Sequence, residues 1–244
     1  MPSMLAEILG RLVEVECSEE DARENLPFRE AWDALKRSGG YVTSPKGTPL
    51  WLLPCRGLWQ DAAEYFDEGD VEAFLFCASN DWGVRLVSMN MRALKERGIL
   101  ESAFLQAFIG VRVNHKSCRF ELAYIFSMID RARMRLAGDP LPGPGPFTMF
   151  RGVAGHGTAR VVCGYSWSGD FERAMWFAVR FADGLGLADP AVFRATVAEE
   201  DVYVYSNDRN EQEFIVDRAC FERPGCRPVR VWRQRDEAGA QGQT

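Results

Sequence analysis

Histidine is nearly absent from this chain: His115 and His156 are the only two among 244 residues. A Cys-His or Ser-His-Asp hydrolase is hard to assemble from so little imidazole. The seven cysteines (17, 55, 77, 118, 163, 220 and 226) contain no Cys-x-x-Cys, and His115 with Cys118 is the one close His/Cys pair. No metal site is expected, and the thiols read as reduced, mostly core residues of a cytosolic protein. A G-x-x-x-x-G-K-[ST] loop is missing. Gly155-His156-Gly157 and Gly184-Leu185-Gly186 lack the third glycine of a dinucleotide fingerprint. No apolar run approaches the roughly 18 residues of a membrane span. The start, MPSMLAEILGRLVEVE, carries acids where a secretion signal has a basic end, and it reads as mature protein.

Positive charge is not in excess either. Lys plus Arg total 29 against 35 Asp plus Glu, a net charge of −6. That balance disfavours a nonspecific nucleic-acid binder, although a nucleic-acid base or a small molecule stays open as a reaction acceptor. What is abundant is apolar side chain, 47% of the chain, enough for a real core and incompatible with disorder.

Proline occurs at 27, 45, 49 and 54 and then not until Pro140. A window of 85 residues (55–139) without it predicts stacked helices, because proline inside a helix costs about 3 kcal/mol. One helix is expected from the caps Ser79-Asn80-Asp81 through Leu86, Val87, Asn90, Met91 and Leu94 to Gly98. A second runs from Glu101 to Val113, and a third from Ser117 to Leu136. Gly138 to Pro146 then packs four prolines and three glycines into nine residues, marking a boundary or stiff connector.

Beyond it come short β-rich runs (FTMFRG, RVVCGY, AVFRATV, VYVY, EFIVD, VRVW) around one helix. That helix starts at the cap Asp170, carries the stripe Phe171, Ala174, Met175, Ala178, Phe181 and Ala182, and ends at Gly184; Trp176 and Phe177 are expected to pack inward. The expected class is α+β: a mainly helical region, 1–139, then an α+β region, 146–235, and a disordered tail, 236–244.

Three short features of the second region carry chemistry. They are Phe150-Arg151-Gly152 at a strand end, Gly164-Tyr165-Ser166-Trp167-Ser168 leading into the Asp170 helix, and Glu211-Gln212-Glu213 entering the strand Phe214–Val216. Each alone is weak, since chance gives about five acid-x-acid triplets in a chain of this composition. Their order and spacing are the signal: Ser166 lies 15 residues after Arg151, and Glu211 and Glu213 follow 45 and 47 residues beyond Ser166.

That pattern resembles the Arg–Ser–Glu class of mono-ADP-ribosyltransferases, and GYSWSGDFERAMWFA looks particularly like phage and bacterial members. The resemblance covers about residues 147–232. It implies a split β-sheet core with one prominent helix, NAD as co-substrate, no metal, and a protein acceptor in the host or bacterial cytoplasm. Arg151 and Gly152 would sit at the cofactor. Ser166 would hold Glu213 or the nicotinamide ribose, and Ser168 belongs to the same element. Glu213 would be the catalytic carboxylate, and Glu211 tilts the acceptor toward arginine.

The residue types suit that reaction. A bidentate guanidinium anchors phosphates. A carboxylate beside the sugar stabilises the charge that develops as the nicotinamide bond breaks, and nicotinamide leaves neutral, without a general acid. On an extended chain Glu211 and Glu213 would face one side about 7 Å apart, allowing one to hold the sugar and the other to orient the nucleophile. Tyr165, Trp167 and Tyr205 are candidates to stack on nicotinamide or adenine, and His156 to line the adenine side. The rival readings are an NAD glycohydrolase on the same fold and a non-catalytic protein-binding module.

Overall fold

The structure is a computed structural model that describes Glu30 and residues 39–53, 56–77, 82–110, 119–157 and 160–233. The expected cap Ser79-Asn80-Asp81, the pair His115 and Cys118, and the tail 236–244 lie outside the described residues. The chain divides into two compact units, at Ala137 and Gly138.

Among its described residues the first unit holds a hairpin that the helical expectation did not include. Strand β1 (Gly40–Thr43) pairs antiparallel with β2 (Pro49–Leu52). Its turn closes through Ser44, whose hydroxyl donates to buried Asp67 at 2.9 Å and accepts from Thr48 N–H. Helices follow: α1 (Trp59–Glu68), α2 (Val71–Cys77), α3 (Gly83–Met89), α4 (Met91–Arg97), α5 (Leu100–Gly110), α6 (Arg119–Met128) and α7 (Arg131–Ala137). The described part of the proline-free window is helical apart from short turns between the helices and residues 138–139, and Gly98 ends α4 in the left-handed conformation.

Two of the three long helices expected there are broken. Asn90 is buried, and its amide exchanges two hydrogen bonds with the backbone of Trp51 on β2, at 2.7 and 2.8 Å. An asparagine read as part of a helical stripe therefore interrupts the helix to pin the hairpin. Asp130 separates α6 from α7 and caps the latter by accepting from Arg133 N–H at 3.0 Å.

The second unit is a six-stranded antiparallel sheet with one long helix. In sequence the elements are β3 (Phe147–Val153), β4 (Ser166–Ser168), α8 (Phe171–Leu185), β5 (Ala191–Val197), β6 (Val202–Ser206), β7 (Glu213–Val216) and β8 (Val229–Arg233). The spatial order is β6-β7-β4-β3-β5-β8. The overall α+β class is as expected. Gly138 to Pro146 belongs to this unit and is tied down: Asp139 N–H donates to Tyr205 O at 2.9 Å, and its carboxylate accepts from Asn207 N–H at 2.7 Å.

At the centre of the sheet, β3 pairs along its whole length with β5 but meets β4 at one position, Phe150 opposite Ser168. The sheet is thus two three-stranded halves sharing a single paired position. Trp167, Phe214, Tyr205, Met149 and Phe147 fill the core on one side, while Ala174, Ala178 and Val192 bury α8 against the other.

Helix α8 begins as the cap predicts, with Asp170 Oδ1 accepting from the N–H groups of Glu172 and Arg173. It runs past Gly184 to Leu185 and ends on Gly186 at φ 63°. Trp176 does not pack inward. It is 44% exposed, with Arg180 and Arg173 over its ring at 4.8 and 5.6 Å. Phe181 of the expected apolar stripe is exposed as well. Among the described residues no helix is long and apolar enough to cross a membrane, and no group of three or more His, Cys, Asp or Glu is placed to hold a metal.

Candidate functional site

The site forms where β3 and β4 part. Beyond Phe150, β3 continues through Arg151 to Val153 without β4 beside it, leaving carbonyl groups at the parting without a ladder partner. The Arg151 guanidinium fills that gap: Nη1 donates to Ser166 O, and Nε donates to Val161 O at 3.1 Å. Burial pushes Arg151 down to about 10, opposed by the Glu213 carboxylate and assisted by Arg218. It is a cation at neutral pH with a carboxylate within its field.

That carboxylate is fixed by the register of β4 and β7. Ser168 stands opposite Glu213, and Ser166 opposite Ile215. Ser166 and Glu213 are therefore diagonal neighbours on one face, within reach of a long side chain. Ser166 Oγ donates to Glu213 Oε1 at 2.5 Å. Arg151, Ser166 and Glu213, spread over 63 residues, are joined by two direct hydrogen bonds. Ser168 has a different task. Its hydroxyl donates to Glu211 O at 2.8 Å and accepts from Asp170 N–H at 3.0 Å, joining the loop before β7 to the start of α8.

Glu211 is not placed as expected. It has φ −91° and ψ −12°, following the turn Asp208–Asn210, and Gln212 is left-handed at φ 46°. The strand starts only at Glu213, so the alternation that would set both carboxylates on one side does not extend back to Glu211. The turn is held by Ser168 Oγ on Glu211 O and by Gly169 N–H, which donates to Gln212 O at 2.8 Å.

Nor are the stacking candidates open surfaces. Trp167 is 1% exposed, packs on Phe221 with ring centroids 5.0 Å apart, and donates Nε1–H to Gly164 O. Strand alternation sends it into the core while Ser166 and Ser168 face the other way. Tyr205 is buried against Phe214 at 4.8 Å. Tyr165 is half-buried with Arg218 over its ring at 5.2 Å; burial raises its phenol, and Arg218 opposes the rise. His156 is largely exposed and faces Asp189, with Nδ1 at 3.7 Å from Oδ2.

Gly152 is buried at the crossing of β3 and α8, where a Cβ would sit 1.8 Å from Ala174 O and 2.7 Å from Ala178 N. Its role there is close packing of helix on strand.

Sequence reading assigned no role to three residues that shape the site. Val161 supplies a carbonyl to Arg151, Gly164 leaves room for the guanidinium, and Arg218 covers Tyr165 while donating to Cys163 O at 2.7 Å. Their importance comes from chain crossings between distant residues. A shallow concavity of about 450 Å³ on the outer side of α8, lined by Trp176, Val179, Arg180, Asp183 and Gly184, shares no residue with the Arg151–Ser166–Glu213 group. No protein-family model matches this chain, and comparison with curated proteins and with solved structures gives no match in either set.

Proposed function

We propose that the chain is an NAD-dependent mono-ADP-ribosyltransferase that transfers ADP-ribose to a protein side chain. The observation carrying this reading is the Ser166–Glu213 hydrogen bond of 2.5 Å beside a guanidinium that is itself bonded to the Ser166 carbonyl. Those groups suit one substrate with an anionic pyrophosphate at one place and a developing sugar cation at another.

In the reaction the bond between the ribose C1′ and the nicotinamide nitrogen breaks, and its electron pair leaves with nicotinamide. Positive charge gathers on the ribose as the acceptor's lone pair closes on C1′, and the acceptor's proton is lost to a base. Ser166 fixes the Glu213 carboxylate in direction, so its charge meets the oxocarbenium-like sugar without reorganising. Among the described hydrogen bonds Arg151 uses Nε and Nη1, leaving Nη2 for a phosphate oxygen. The resemblance of the Arg151, Ser166-Trp167-Ser168 and Glu211-Gln212-Glu213 motifs to the Arg–Ser–Glu class supports the same reading.

One observation favours a second reading, hydrolysis of NAD with water as acceptor. The turn at Gln212 takes Glu211 off the strand that carries Glu213, which weakens the case for a dedicated carboxylate that orients a side-chain nucleophile. Intact-mass analysis of candidate acceptor proteins after exposure to NAD separates the two. One added ADP-ribosyl unit, absent with the Glu213→Gln variant, supports transfer; nicotinamide release without any protein adduct supports hydrolysis.

A further inference from the structure

A second charged centre lies in the same unit. Asp189 occupies the loop between α8 and β5 in the left-handed conformation, φ 54°, with its side chain only 8% exposed. Arg160 Nη2 lies 2.7 Å from its Oδ2, and Arg230 Nη2 and Arg233 Nε lie 2.6 and 3.0 Å from its Oδ1. His156 stands beyond, at 3.7 Å. Burial alone would raise the Asp189 carboxyl, but the hydrogen bonds and charges of Arg160 and Arg230 hold it down at about 2.

The convergence of Arg230 and Arg233 follows from a local irregularity. Residues three apart on a regular strand point to opposite faces. Between β5 and β8 the register shifts, with Val192 opposite Trp232 but Phe193 opposite Arg230. This bulge inserts one residue on β8 and returns both arginines to the same carboxylate.

One carboxylate does not balance this group. Three guanidiniums against one Asp leave a net charge of +2, before any proton on His156. Arg160 Nε is moreover buried without an acceptor among the described residues. Three arginines with spare donors, two of them reaching the surface, have the charge and the fork geometry that take a doubly charged oxyanion.

The cluster is also continuous with the site above. Arg160 on Asp189 is followed directly by Val161, whose carbonyl accepts from Arg151 Nε. Strand register agrees: Arg151 is two residues from Val153, which pairs with Ala191, which pairs with Arg233.

We propose that Arg160, Arg230 and Arg233, with His156 at the rim, form a phosphate-binding subsite distinct from Arg151, which receives a phosphate ester of a substrate. The phosphate belongs either to the dinucleotide or to a second, phosphorylated substrate. The subsite stands on its own geometry and does not require the reaction assigned to Ser166 and Glu213.

The test is calorimetric titration of the full chain with inorganic pyrophosphate in a phosphate-free buffer. Binding that weakens with rising salt is expected, with affinity reduced at least tenfold in Arg230→Gln/Arg233→Gln and at least threefold in Arg233→Gln, whose side chain is 60% exposed. Displacement of pyrophosphate by saturating NAD assigns the subsite to the dinucleotide, and retention assigns it to a second substrate; either supports the proposal. Absence of binding, or equal binding by the unmodified chain and Arg233→Gln, overturns it. A chain that binds pyrophosphate at this cluster but releases no nicotinamide from NAD refutes the proposed reaction and leaves the subsite standing.

Discussion

Gly164 lies flat against the guanidinium of Arg151: a Cβ at residue 164 would sit 2.4 Å from Arg151 Cζ and 2.9 Å from Nη1. The missing side chain is what allows the cation to reach Ser166 O in the gap between β3 and β4. Gly164→Ala is therefore expected to displace the guanidinium by about 1 Å while leaving the core intact. NAD cleavage should fall by about 10² from such a misplacement, with a circular dichroism spectrum like that of the unmodified chain. Unchanged turnover would mean that Arg151 does not need this position.

Gly152 is a matter of stability. Its Cβ would collide with backbone atoms of α8, which cannot swing aside as a side chain can. Gly152→Ala should destabilise the second unit by about 3 kcal/mol, the upper end for overpacking, measured by urea unfolding. Gly184, inside α8, is the opposite case, because a methyl group there would meet nothing within 4 Å. Gly184→Ala should stabilise by about 0.5–1 kcal/mol.

Asp189 gives the acid limb of the stability curve a specific source. Its carboxyl is held at about 2 in the folded chain against an ordinary 3.8. A depressed acid contributes stability that is complete above the unfolded value and is lost as pH falls from 3.8 through 2. Asp189→Asn, a residue that tolerates φ 54°, should therefore flatten the loss of stability between pH 4 and pH 2, read from urea midpoints at each pH. An unchanged slope would show that the arginine cluster does not depend on this carboxylate.

Thiol chemistry distinguishes two of the four described cysteines. Cys220 is buried, and burial followed by the Asp201 charge pushes it up to about 12. Cys163 is exposed beside Gly164; burial of its sulfur raises it, with Arg218 and Arg151 opposing. Iodoacetamide at pH 8 should modify Cys163 well before Cys220 in the folded protein, as peptide mass mapping would report. Equal rates would mean that the second unit opens readily.

Parts of this molecule were legible in one sequence because their causes are local. Asp170 before an apolar stripe announces α8, alternating apolar runs announce β3, β5 and β6, and a long stretch without proline announces helices. Where the cause is a distant partner, local reading fails. Asn90 looks helical until Trp51 claims its amide, and Gln212 looks extended until Ser168 and Gly169 hold its turn. Trp167 and Tyr205 read as stacking surfaces only while the core they fill is unknown. The Asp189 cluster gathers residues 156, 160, 189, 230 and 233, a grouping that depends on a β-bulge no composition reveals. The Ser166–Glu213 contact lies between these cases, because the order and spacing of the motifs, and the resemblance they carry, brought the two residues to notice before their contact was known.

The central claim is that Ser166-bound Glu213 stabilises a sugar cation as NAD gives up nicotinamide. Nicotinamide release by the purified chain, followed by chromatography with NAD as the only other reactant, tests it most directly. Release by the unmodified chain is expected, with a loss of at least about 10²-fold in Glu213→Gln and a partial loss in Ser166→Ala, both variants remaining folded. Release that persists undiminished in Glu213→Gln, or none from the unmodified chain under any acceptor condition, would contradict it.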